Sequence, residues 1–519
     1  MSRTPLRSTV PWILLAAFSG LLPGCNGETT PPETPTPEPT PQLATRMKFQ
    51  DFSTDQARLD SLIKAVEVMK SRSTSAPDSA DYRLSWEYWA AMHGYFGSQA
   101  KAGTVESARN RAPANKKPFY DGLRDLTFPA QPPGLAAQVW DKCIHSRFTP
   151  NLQFLTWHRM FLFYFERVLQ GAAQDQSLRL PYWDYTDPSQ VQLPAAFAPE
   201  KLSDGRPNPL HDPRRRSQTV QLDPQLTDID DLLVLPSFSS FSSELEQQPH
   251  GTVHCTVGPD CPFPLMGAVA VSANDPIFWL HHANIDRIFE CWLQRGGTIP
   301  DDLKSQSYSF LEADGTLVTK TVGDFFSSTS PIDYQYDHIT ACGRGPIPEA
   351  LPGLEAAELP ATPLGQVESV PINDASTSVR LPLAAASLES AEAAVTDESS
   401  KTELVLEDIS VSGHPGVLFN VYLSTTGPNP RRQYVATLSF FGLEHGDHDH
   451  GGALPNRSLD VTDEIRALKG TAEGLPEIQV VFEATSGTAD STLEAARPLF
   501  NRQSGLKVGT IRLHVKRPQ

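Results

Sequence analysis

Positive charge is what this sequence has too little of: 43 Lys and Arg stand against 61 Asp and Glu, a net charge of -18. Without a basic footprint, nucleic acid and anionic lipid headgroups are excluded as electrostatic partners, while a small neutral substrate is compatible with the balance. Long apolar runs are also missing. The one near the start, in MSRTPLRSTVPWILLAAFSGLLPGCNG, follows Arg3 and Arg7 and is too short to be a dependable membrane span, which is the layout of a secretory signal. Cysteine is scarce, six residues in 519: Cys25, Cys143, Cys255, Cys261, Cys291 and Cys342. Cys255 and Cys261, six apart around a Gly-Pro turn, are the candidate disulfide in an oxidising compartment, with two unpaired thiols as the alternative.

At this length the chain predicts two folded domains with tails, and the 46 prolines gather in the tails and linkers. Residues 1–25 read as the signal, ending in Leu22-Pro23-Gly24-Cys25, which resembles a bacterial lipobox. That resemblance implies acylation of Cys25 and a lipid-anchored lipoprotein, periplasmic or at the outer membrane, touching membrane only through its anchor. An ordinary signal peptide with an incidental cysteine is the alternative. Residues 26–45 are a Pro-rich acidic spacer, residues 46–342 a first domain, residues 343–400 a low-complexity linker, and residues 401–519 a second domain.

In the first domain, apolar residues recur at helical spacing over Gln56–Ser71, Tyr82–Tyr95, Leu155–Leu169, Ser243–His254 and Pro276–Leu293, and no alternating strand pattern competes. The expected fold is mainly α, a helical bundle with long loops. From Thr402 the period falls to two in TELVLEDISV, GVLFNVYLST, QYVATLSFF, EIQVVFEAT and GTIRLHVK, which predicts an all-β sandwich.

Histidines break the apolar pattern of the first domain. His158 sits in LTWHRMFLFYFERVL, where an unpaired buried imidazole would cost about 1–3 kcal/mol. A core histidine bonded to a carbonyl is one reading; a metal ligand gains weight when others share its setting. Five do: His93, His145, His250, His254 and His282. His250 and His254 are four apart and share a helix face, and His282 adds a third imidazole, with Asp286 one turn onward to accept its other ring N–H. His93, His145 and His158 make a second triad. All-imidazole, three-coordinate sites with open positions suit copper; zinc is the rival, but neither triad has the carboxylate that zinc hydrolases commonly include.

TWHRMFLFYFE and NDPIFWLHHANIDRIF resemble the two copper-binding signatures of the tyrosinase, catechol oxidase and hemocyanin family, the type-3 dicopper proteins, with PHGTVH, PYWDY and Tyr334-Gln335-Tyr336 in the family's order. The resemblance implies two copper ions, the first on His93, His145 and His158 and the second on His250, His254 and His282. The choice of His282 over His281 follows the family's spacing to Asp286 and Phe278. Cys143 stands where fungal and molluscan relatives link a cysteine to the imidazole two residues on, here His145; an unmodified buried thiol is the alternative.

The implied activity is that of a copper oxidoreductase, a polyphenol oxidase turning o-diphenols (catechols) into o-quinones with dioxygen, with weak monophenol hydroxylation. A hemocyanin-like oxygen carrier is the alternative. Phe278 matches the family's gate residue, or is core; Glu246 matches the acid that orients a water for substrate deprotonation, or is an idle charge. Gly251 stands where good monophenol hydroxylases often carry asparagine. TELVLEDISV and VLFNVYLS resemble the C-terminal domain of plant polyphenol oxidases, which covers the copper site in a latent form; a packing module is the alternative. His445, His448 and His450 form a further cluster, read as a solvated loop or a metal site.

Overall fold

The computed structural model describes residues 43–95, 106, 109–110, 117, 131–143, 152–258, 261, 265–327, 332–339, 361–382, 400–443, 453–470 and 477–516. The signal, the lipobox, His145 and the His445–His450 cluster lie outside the described residues. From Leu43 onward the chain forms one compact unit, so the helical part and the sandwich are packed together.

Helix α1 (Gln56–Arg72) starts where the Asp55 side chain accepts from the Ala57 and Arg58 amides, and buries Leu62, Ile63, Val66 and Met69. Helix α2 (Trp86–His93) is capped by Ser85 and has all its residues but Glu87 buried. Helix α3 (Phe154–Ala173) is almost wholly buried, as an interior helix with apolar residues all round must be. Helix α4 (Phe238–Leu245) and helix α5 (Thr252–Val257) replace the single helix expected over Ser243–His254. Between them Glu246–Gly251 forms an irregular turn in which Gln248 is extended. Pro249 is the cause: it has no N–H to donate and pushes the preceding residue out of helical space. Helix α6 (Ile277–Gln294) completes the core, its Trp279 ring 4.8 Å from Phe161 of α3.

Two short elements pin this core. Strand β1 (Ala44–Arg46) pairs in parallel with β4 (Tyr334–Tyr336), past the hairpin of β2 (Ser307–Leu311) and β3 (Leu317–Thr321). Arg46 is fully buried and donates to Glu166 at 2.8 Å, Tyr336 at 3.0 Å and Asp286 at 3.4 Å. Asp286 also accepts from Arg159, Tyr334 and Tyr336. Burial would raise the Asp286 carboxyl, but the Arg159 and Arg46 charges and the Tyr336 hydroxyl hold it below the usual carboxylate range.

The sandwich has two four-stranded antiparallel sheets, in the orders β10-β7-β12-β5 and β6-β11-β8-β9. Its strands are β5 (Ala361–Pro371), β6 (Ser376–Leu381), β7 (Lys401–Glu407), β8 (Leu418–Thr425), β9 (Arg432–Leu438), β10 (Arg457–Asp460), β11 (Ile478–Thr485) and β12 (Lys507–Lys516). One expectation is corrected here. Strands β5 and β6 fall inside residues 343–400, read as linker; they are edge strands whose weak apolar pattern is completed by pairing with β12 and β11. The domain also carries a helix, α7 (Thr462–Lys469), whose Ile465 and Leu468 are buried in the sandwich core.

The β6-β11-β8-β9 sheet reaches the core. Strand β8 is buried at seven of its eight positions instead of alternating, because one face packs within the sandwich and the other on the helical part. Buried Arg457 forms an ion pair with the partly buried Glu244 of α4. The Gln248 side chain accepts from Thr437 N at 3.0 Å and Tyr434 OH at 3.3 Å. The turn after β11 joins the core through Asp223 N to Gly487 O at 2.9 Å and Ala489 N to Gln221 O at 3.0 Å.

Candidate metal centre

Four helices of the core, α2, α3, α5 and α6, deliver histidine to one interior point. His93 closes α2, His158 lies in the first turns of α3, His250 precedes α5 and His254 lies within it, and His281 and His282 lie in α6. All six are buried. The ligating atoms of His250, His254, His281 and His282 lie within 4.8 Å of one another, as do those of His93, His158 and Cys143. The two groups adjoin, since the His158 and His282 rings stack at 4.5 Å.

Backbone carbonyls orient four of the rings. The Nδ1 atoms of His93, His158, His250 and His254 donate to Val269 O at 2.9 Å, Phe154 O at 2.7 Å, Glu246 O at 3.1 Å and Met266 O at 2.7 Å. A carbonyl only accepts, so these contacts fix the Nδ1–H tautomer and leave Nε2 as the basic nitrogen. Burial, with His158, His250, His281 and His254 around it, holds His282 well below its ordinary value. His282 Nε2 lies 3.2 Å from His254 Nε2. Two imidazole nitrogens bound to one ion at tetrahedral angles stand about 3.3 Å apart. The His282 Nδ1 and His281 Nε2 atoms are buried with no hydrogen-bond partner among the described residues. Neutral, buried, convergent imidazoles fit a transition metal of nitrogen preference.

The other expected site residues divide. Phe278 packs among the imidazoles, 4.0 Å from the His282 ring and 4.8 Å from His93, as a wall of the site. Glu246 is buried, and after burial itself its charge is the main reason the Cys143 thiol is held well above its ordinary value, ahead of Asp141. The Cys143 sulfur lies 3.6 Å from His158 Nε2. Cys255 and Cys261 form a disulfide. Asp286 is a correction: its oxygens are taken by two arginines and two tyrosines, so instead of holding His282 it anchors Arg159, the neighbour of His158 in α3. Gly251 lies beside His250 and faces Ser439 of the sandwich.

Two site residues were missed in the sequence. His281 joins the second group, its Nδ1 2.9 Å from Tyr185 OH in the PYWDY stretch; burial pushes it down to about 3. Phe441 stacks on His254 with ring centroids 4.0 Å apart and planes 8° apart, and meets His250 edge-on at 5.6 Å. A signal for it exists in Phe440-Phe441: consecutive residues of extended chain point to opposite faces, so both rings cannot enter the sandwich core. Phe440 enters it, and Phe441 joins Leu226, Cys255, Cys261, Val269 and Leu418 between the two parts.

A helical core carrying two adjoining groups of buried imidazoles fits a nitrogen-ligated metal centre. Residues 83–222 and 197–295 match the common central domain of tyrosinase, and residues 362–492 match a domain of unknown function, DUF7868. A tyrosinase of Hahella sp. (strain CCB-MM4) is 26% identical over 447 residues, covering 78% of this chain and 88% of that protein. A chloroplastic polyphenol oxidase of Vitis vinifera is 27% identical over 267 residues, 42% of this chain and 43% of that protein. The structure of latent apple tyrosinase superposes with a TM-score of 0.52 at 19% identity, covering 92% of this chain and 98% of that one. Recombinant latent aurone synthase gives 0.53 at 18% identity, with 92% and 90% covered. Residues 83–295 thus carry the central domain shared by the tyrosinase and polyphenol oxidase family of type-3 copper proteins.

Proposed function

We propose that the chain is a copper-dependent oxidase converting o-diphenols to o-quinones, held covered by its own sandwich. The observation that carries this reading is the convergence of buried, carbonyl-oriented imidazoles in two adjoining groups. His93 and His158, with His145 completing the set, would hold one copper; His250, His254 and His282 would hold the other. When bound, the copper pair supplies a dioxygen-binding, two-electron acceptor. Each catechol loses two electrons and two protons, so two catechols and one dioxygen give two quinones and two waters.

The chain's residues have separate tasks in this reading. Four carbonyls keep the Nδ1 protons in place, so the rings present lone pairs without competing tautomers. Glu246 is the buried carboxylate that would orient a water and receive a phenol proton. Phe278 walls the centre and excludes water from it. Phe441 occupies the face of His254 against which a planar phenol would stack. The intact chain is therefore expected to be slow, and to speed up when the sandwich is displaced. Acylation at Cys25 would tether the enzyme to a membrane surface; radiolabelled palmitate incorporation, lost on Cys25→Ser, tests that part.

Copper counting together with oxygen uptake tests the main reading. Two coppers per chain and catechol-dependent oxygen consumption after proteolytic displacement of the sandwich are expected. Reversible oxygen binding without consumption would make the chain a carrier, and zinc at full occupancy would end the dicopper reading.

A further inference from the structure

Gly251 follows the first histidine of the second group, and its backbone does not explain it. With φ -67° and ψ -30° it is helical, a conformation in which alanine or asparagine fits and in which glycine is a poor choice. The space explains it. A Cβ at position 251 would stand 2.7 Å from Ser439 Oγ, the shortest contact, and 3.2 Å from both Ser439 Cβ and the Glu246 carbonyl oxygen. Ser439 is buried and its side chain is in use: its Oγ accepts from Phe441 N at 3.3 Å and lies 3.8 Å from Cys255 Sγ. Turning the serine away to admit a side chain would break the bond that shapes the turn carrying Phe441. The contact is flanked by Gln248, which binds Thr437 and Tyr434, and by the Arg457–Glu244 pair. Hence a side chain at position 251 cannot relax by sliding the sheet without straining those bonds.

The structure assigns Gly251 as the seat of the covering segment: the missing side chain at this position is what lets Ser439 dock and Phe441 stack on His254. Any larger residue at 251 opens the site from within, without cleavage of the chain. This deepens the covered-oxidase reading and rests on it for its effect on activity, but the docking itself does not depend on copper. An asparagine at 251 would act first on docking, and only afterwards on which phenols are attacked.

The experiment uses the full chain, as parent, Gly251→Ala, Gly251→Asn, Ser439→Gly and the Gly251→Ala/Ser439→Gly double variant. Amide hydrogen exchange over residues 437–443 reads docking without copper, and oxygen uptake on 4-tert-butylcatechol reads the open site in the copper-loaded chain. Alanine is expected to raise the open population roughly 5- to 100-fold, the range that overpacking a filled contact produces, with asparagine above it. In the Ser439→Gly background, where both serine contacts are gone and the 3.2 Å contact to the Glu246 carbonyl is left, most of the alanine effect is lost. Exchange in Gly251→Ala equal to the parent's, or an alanine effect undiminished in the Ser439→Gly background, overturns the assignment. Should exchange rise as expected while no variant consumes oxygen, the seat stands and the oxidase reading falls.

Discussion

The helical core and the sandwich treat polar groups in opposite ways. The core buries six imidazoles in its interior, together with a network of arginines and carboxylates formed by Arg46, Arg159, Asp286 and Glu166. The sandwich fills its centre with Leu404, Leu406, Val421, Leu423, Val480 and Phe482, and turns polar side chains, Tyr434, Thr437 and Arg457 among them, toward the core. A buried charge is tolerated only when paired, so the core's network costs stability unless every member is present. An apolar centre asks no such precision. The core is therefore built to hold atoms in place, and the specialised part of the sandwich is its surface.

The sharpest way to break this contrast is to remove a ring from the core. His158→Ala or His282→Ala is expected to lose one copper and all catechol oxidation, measured by metal content and oxygen uptake; retained oxidation with one copper would refute the paired-centre reading. Next, Asp286→Ala leaves Arg46 and Arg159 buried without their shared carboxylate, and should cost about 3–5 kcal/mol in denaturant unfolding. A loss under ~1 kcal/mol would mean that the network is not what fixes the core.

Arg457→Ala addresses the face of the sandwich. Its partner Glu244 keeps 19% side-chain exposure, so the loss should be smaller, on the order of 2 kcal/mol, and should appear as raised oxidation by the uncleaved chain. Unfolding of the sandwich itself should change little.

The smallest effect expected is on pH. Burial, with Asp231, Asp463 and Asp460 close by, lifts Glu464 to about 7. Asp231 belongs to the core and the other three to the sandwich, so the parts share an acidic cluster. A carboxyl raised above its unfolded value of about 4.3 stabilises the folded form fully below that pH, and the benefit is lost as pH rises through about 7. Melting temperature and sandwich docking should both decline between pH 5 and 8, and Glu464→Gln should flatten that decline; an unchanged slope in the variant would assign the trend to other groups.

Helix α1 was legible to within one residue because Leu62, Ile63, Val66 and Met69 repeat at helical spacing after the Asp55 cap. The five strands read from β7 onward follow from the same kind of local pattern. Strands β5 and β6 did not, because an edge strand with polar alternation gains its order from its neighbour.

By itself the sequence determined the main helices of the core, five strands of the sandwich and the presence of histidines in apolar helices, since burial and periodicity are written in neighbouring residues. Only the tertiary structure decided which groups meet: that Asp286 serves two arginines and two tyrosines instead of His282, that His281 joins the second group, and that Ser439 and Phe441, far along the chain from Gly251 and His254, close over them. Those contacts depend on how a sheet face docks on a bent helix, and no local pattern encodes a fit between surfaces so distant in the chain.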